Sequence, residues 1–145
     1  MTSIQVIATT YDGTRAAIET AALLARASGS PLSVLVPRIA APLNTAVEAD
    51  DDTTAAAEDY RLFVEQLGAE GHVRICHCAA IDDLIAQLTT PGMMLVVGGP
   101  SGRWFMSPEE RFANRLSRRG RRVLFASTGP SPTSRRTAVM APITG

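Results

Sequence analysis

Lysine is absent from this chain: all 14 basic residues are arginine, and 14 Asp and Glu bring the formal net charge to zero. A biased codon usage produces such a composition, so the missing lysine carries no functional weight. The neutral balance excludes a chain built mainly to capture nucleic acid or an anionic membrane. Aromatic residues make up only 5% against 46% hydrophobic, so the core must come from Ala, Val, Leu and Ile. The two cysteines, Cys76 and Cys78, are too close together to staple a fold, which points to a reduced, cytoplasmic protein. No apolar run approaches 18 residues, so no membrane-spanning helix is expected. Met1–Thr2–Ser3–Ile4 lacks the basic segment and apolar core of a secretory leader. At 145 residues the chain is long enough for one domain with a proper core.

What is present is organised around Met93–Met94–Leu95–Val96–Val97–Gly98–Gly99–Pro100–Ser101–Gly102. An apolar run enters a glycine cluster, and Ser107–Pro108–Glu109–Glu110 then signals a helix start. Ser107 with Glu110 three residues on forms a capping box, and Pro108 takes the favoured first helical position. Strand, tight loop and helix N-terminus in that order suit an anion. A plain strand-to-helix turn is the other reading of Gly99 and Gly102.

The rest alternates in the same way. Ile4–Thr10 reads as a strand, and Tyr11–Asp12–Gly13–Thr14 as a turn in which Asp12 or Thr14 caps a helix over 15–28. On that helix Ile18, Ala21, Ala22 and Ala25 share one face of small residues, suited to lying close on a sheet. Leu32–Val36 is a second strand. A loop over 40–52 carries the acidic cluster Glu48, Asp50, Asp51 and Asp52, favourable ahead of a helix over 53–67 and too tightly spaced for a cation cage. His72–Cys78 is a third strand, with Cys76 and Cys78 on one face and His77 on the other, so the three cannot converge on one metal. Ile81, Leu84, Ile85 and Leu88 mark a short helix. The fourth strand is the central stretch; a helix to about Arg119 and a strand over 122–127 follow. Residues 1–128 form one α/β domain and 129–145 a Ser-, Pro- and Arg-containing tail whose apolar end can add an edge strand. Strands alternating with helices imply a parallel sheet covered on both faces, a doubly wound three-layer sandwich.

Two surface features invite function. Arg111, Arg115, Arg118 and Arg122, with Arg119 and Arg121, form a basic run that is either a solvated face or a contact for an acidic partner. Nucleic acid is not expected there, since no aromatics interleave. Trp104 and Phe105 read equally as a lid, a partner patch or core.

The chain resembles the universal stress protein family. The likeness is carried by Val6–Ile7–Ala8 through Tyr11–Asp12–Gly13–Thr14, by Leu32–Val36, and by Leu95–Val96–Val97–Gly98–Gly99–Pro100–Ser101–Gly102, and spans about residues 3 to 127. The resemblance implies a flavodoxin-like sheet of order 3-2-1-4-5, a homodimer through the last strand and, in some members, ATP between the first and fourth strands. In those members an Asp after the first strand and a Val ending the second hold the nucleoside, matching Asp12 and Val36. The phosphates lie on a Gly-x-x-Gly, matching Gly99 and Gly102, and on a Gly-Ser/Thr pair nine residues on. Here Phe112 and Ala113 stand at that last position, and the nearest hydroxyls are Ser101 and Ser107. Glu109 and Glu110 would repel phosphate.

The reading that follows is a non-catalytic, homodimeric binding protein with weak or lost ATP binding. It would act in a stress response, with Asp12, Val36, Gly99, Ser101, Gly102 and Ser107 around the ligand. The alternatives are an ATP-binding or nucleotide-hydrolysing enzyme on the same fold, and a pure protein-interaction module.

Overall fold

A computed structural model describes residues 3–39, 46–88, 92–102 and 105–130. The elements are β1 (Ser3–Ile7), α1 (Tyr11–Ser28), β2 (Leu32–Ile39), α2 (Ala46–Gln66), β3 (Gly71–Cys78), α3 (Ile81–Gln87), β4 (Met93–Ser101), α4 (Pro108–Arg118) and β5 (Arg122–Pro130). The strands form one parallel sheet in the order β3-β2-β1-β4-β5. β1 lies at its centre, with Ile7 paired to Leu35 of β2 and to Val97 of β4. The expected flavodoxin-like, doubly wound α/β sandwich of order 3-2-1-4-5 is the architecture observed.

Strand alternation sends side chains into two separate cores. Ile4, Val6, Val34 and Val96 pack under α1 and α2, where Ala17, Ile18, Ala21, Ala22, Tyr60 and Val64 meet them. Ile7, Leu35, Leu95 and Val97 face the other way, onto Leu84, Ile85, Ala113 and Leu116 of α3 and α4. The alanines of α1 do what their spacing predicts: Ala17 and Ala21 are fully buried and bring the helix backbone close to the sheet. Gly29 ends α1 at φ 69, a left-handed conformation that glycine takes without strain.

Several boundaries differ from the sequence expectation: β1 ends at Ile7, short of Thr10, and β2 runs past Val36 and Pro37 to Ile39. α1 begins at Tyr11, because neither Asp12 nor Thr14 is its cap; Thr10 is, its side-chain oxygen accepting from Gly13 N at 3.1 Å. The apparent Tyr-Asp-Gly-Thr turn is thus the first turn of the helix. α2 begins at Ala46, so the acidic cluster lies inside the helix instead of ahead of it. No glycine or proline interrupts the chain between Asn44 and Gln66, and nothing there stops the helix from extending backward. β4 continues through its glycines to Ser101, since Gly98 and Gly99 pair with Ala126 and Ser127 of β5, which itself runs to Pro130. Arg103, Trp104, the residues beyond 130 and residues 40–45 of the expected loop over 40–52 lie outside the described residues.

Candidate ligand cleft

In an open parallel sheet a ligand crevice opens where successive crossovers depart to opposite sides. Here that point lies between the ends of β1 and β4. A cleft of about 430 Å³ sits there. Ile7, Ala8 and Thr9 form its floor, Pro37 comes from β2, and Ile81 and Leu84 from α3. Pro108, Glu109, Arg111, Phe112 and Arg115 of α4 complete the wall. Arg115 is also ion-paired with Asp82, tying α4 to α3 beside the opening.

The β1 side of the crevice is satisfied by hydroxyls. Thr9 N donates to Thr14 Oγ1 at 2.8 Å, and that hydroxyl donates to Thr10 O at 2.7 Å. Thr9 Oγ1 donates to Gly98 O at 2.5 Å, bridging β1 to β4. Behind this bridge the two chain segments touch directly. A Cβ on Gly98 would stand 2.0 Å from Gly13 O, and one on Gly13 would stand 2.4 Å from Gly98 O. Only glycine fits at either position.

The β4 side is satisfied by a single carboxylate. Glu110 Oε1 accepts from Gly102 N at 2.6 Å and from Ser107 N at 2.8 Å, while Ser107 Oγ accepts from Glu110 N at 3.1 Å. The capping box expected from Ser107 and Glu110 is formed, and it is extended to Gly102. These backbone donors hold the Glu110 carboxyl below the ordinary glutamate value. Glu109 lies along Gly99: a Cβ there would be 2.6 Å from Glu109 Cγ. The glycine makes room for the protein's own side chain. Glu109 Oε2 is buried and has no hydrogen-bond partner among the described residues. An orphaned buried polar atom costs on the order of 1–3 kcal/mol, more when charged.

The structure therefore divides the residues singled out in the sequence. Gly99, Ser101, Gly102 and Ser107 gather along the end of β4 and the start of α4, beside the cleft but not among the residues that line it. Ser101 Oγ is bonded to Ser127 Oγ. Asp12 is exposed in the first turn of α1 and does not line the cleft. Val36 is buried on the opposite sheet face, with Ile4 and Val34. Pro37, the next residue, lines the cleft. Alternation along β2 could have shown this, since Leu35 and Pro37 share a face and Val36 points the other way. Thr9 and Glu109 had no local signature; their importance comes from what the fold brings against them.

Elsewhere, Cys76 and Cys78 project to one face as expected, their sulfurs 3.4 Å apart and Cys76 Sγ donating to Gln87 Oε1 at 3.0 Å. Burial pushes the Cys78 thiol up to about 11. Among the described residues no group of three His, Cys, Asp or Glu is placed to hold a metal. Phe105 is 83% exposed, so it is not core.

Against solved structures, the chain aligns with a universal stress protein from Archaeoglobus fulgidus at TM-score 0.66 and 15% identity, covering 86% of this chain and 93% of that one. The fold is that of the universal stress proteins. A universal stress protein in complex with cAMP aligns at TM-score 0.59 and 17% identity, over 88% of this chain and 99% of the other. The universal stress protein from Archaeoglobus fulgidus in complex with dAMP aligns at TM-score 0.55 and 17% identity, over 86% and 97%. Identities this low speak for the fold alone. No protein-family model matches the sequence, and no curated protein matches it either. Among the described residues no helix is long and apolar enough to cross a membrane.

Proposed function

We propose that this chain is a universal-stress-like binding protein of the cytoplasm, acting in a stress response without catalysis, whose cleft holds an adenine nucleotide weakly or has lost it. One observation carries the reading: Glu110 engages the Gly102 and Ser107 N–H groups, and Glu109 covers Gly99. A phosphate arriving at Gly99, Gly102 and Ser107 would have to displace one carboxylate and approach another. The adenine preference rests on the neighbouring structures with cAMP and dAMP. A binding role is supported by the wall chemistry, because its titratable groups, Glu109, Arg111 and Arg115, include no nucleophile paired with a base. Homodimer formation is supported by β5, the edge strand among the described residues, which leaves one row of backbone groups for pairing with a second copy.

The test is to denature gently purified protein, assay released adenine nucleotide, and titrate fresh protein with ATP and Mg²⁺ by calorimetry. No stoichiometric nucleotide and a Kd weaker than about 100 µM are expected. Stoichiometric ATP, or sub-micromolar binding, would sink the reading.

A further inference from the structure

We propose that Cys76 and Cys78 form a two-thiolate site for a soft, thiophilic metal ion, with Cu(I) as the ion that fits the donor set. The site lies at the end of β3, neither cysteine lines the cleft, and the inference stands apart from the nucleotide reading.

Strand alternation puts both sulfurs on the sheet face that packs against α3, 3.4 Å apart. A disulfide does not fit there. Two residues along a strand span about 6.6 Å, at the far end of the Cα separation that a disulfide accepts. The parallel ladder holds that spacing, pairing Cys76 with Pro37 and Cys78 with Ile39. A metal held by two thiolate bonds of zinc-like length, about 2.3 Å each, needs sulfurs on the order of 4 Å apart, close to what the strand presents.

The donor set then selects the ion. Among the described residues no third His, Cys, Asp or Glu completes the site. That removes zinc, whose structural sites take four ligands. A soft ion satisfied by two thiolates remains, and Cu(I) is the common biological ion of that kind. Gln87 stands over the pair: its Oε1 accepts from Cys76 Sγ at 3.0 Å, and its Nε2 donates to Cys78 Sγ at 3.9 Å. The amide can turn its NH₂ toward a bound thiolate once the proton has left. Burial, with Cys76 and then Asp83 beside it, pushes the Cys78 thiol up to about 11. A bare thiolate is therefore disfavoured, and a bound cation offsets its charge. Cys76 is half-buried, and Ala79 and Ala80 just beyond the pair are exposed, so the sulfurs can be reached from solvent. On binding, each S–H gives its proton to solvent and each sulfur forms one bond to Cu(I); no electron is transferred.

Anaerobic titration of the reduced full chain with Cu(I), held by a competing chelator, tests this. One Cu(I) per chain is expected, bound about a hundredfold tighter than by Cys76→Ser or Cys78→Ala. X-ray absorption should show two sulfur neighbours around the ion. The double change His77→Cys with Cys78→Ala keeps two cysteines but sends them to opposite faces, so it should bind no better than the single variants. Thermal midpoints check that each variant folds. Either single variant within about threefold of wild type, or the moved pair binding as tightly, would overturn the site. So would no Cu(I) retained, or several equal ions per chain. Hydrogen peroxide gives a separate check: a monomer lighter by two hydrogens would show that the strand closes a disulfide, and would overturn the geometric argument.

Discussion

The connections after β1 and after β4 begin alike and are completed by different chemistry. Each leaves the carboxyl end of a central strand and enters a helix N-terminus beside the same cleft. After β1 the free backbone groups are met by the Thr10 and Thr14 hydroxyls, and the Thr9 hydroxyl reaches across to Gly98 O of β4, all neutral and short. After β4 they are met by Glu110, with Glu109 alongside, so two negative charges stand at that lip. A hydroxyl both donates and accepts, and it can close a local network completely. A carboxylate accepts only, so it answers N–H groups well and leaves an oxygen over when none remains. The first connection is a finished piece of structure. The second leaves Glu109 Oε2 buried without a partner among the described residues.

The largest expected effect breaks the contact that joins the two connections. Gly98→Ala drives a Cβ to 2.0 Å from Gly13 O, against backbone on both sides. Loss of about 3 kcal/mol or more in urea unfolding is expected, and a variant within about 0.5 kcal/mol of wild type would show that the segments can part.

A middle effect tests the hydroxyl network. Thr14 is fully buried, and Thr14→Val keeps its shape while stripping the acceptor from Thr9 N and the donor to Thr10 O. A loss of about 1–3 kcal/mol, independent of pH, is expected from chemical denaturation.

The smallest effect separates the two connections by pH. Glu110 titrates below its ordinary value of 4.5 in the folded chain. Its stabilising contribution is therefore complete above that value and is lost as pH falls through the lowered folded value. Urea midpoints of wild type and Glu110→Gln should differ at neutral pH and converge on acidification. A difference that stays constant would show that charge at Glu110 does not matter.

Much of this was legible in the chain. Apolar periods of 3.6 and 2 marked the helices and strands, and Ser107–Pro108–Glu109–Glu110 announced its capping box because that motif is local. The misreadings share a cause. Tyr11–Asp12–Gly13–Thr14 has turn composition, yet a cap one residue earlier converts it to helix. Gly98 and Gly99 look like loop residues, yet β5 lies alongside and pairs with them. The same holds at the cleft: Glu109 over Gly99 depends on two elements meeting, which no spacing along the chain reports. Negative charge from Glu109 and Glu110 at this helix start was legible in the sequence, whereas occupation of the Gly102 N–H by Glu110 was not.

The glycine-to-glycine contact also governs how the cleft can be machined. Gly13 and Gly98 clamp the start of α1 against β4 with no side chain between them, so this jaw is fixed. The opposite jaw, α4, is held to α3 by the Asp82–Arg115 pair between exposed residues. Engineering a larger ligand into the protein should therefore begin at Asp82 and Arg115, where the opposing wall has a latch, because the glycine side has no slack to give.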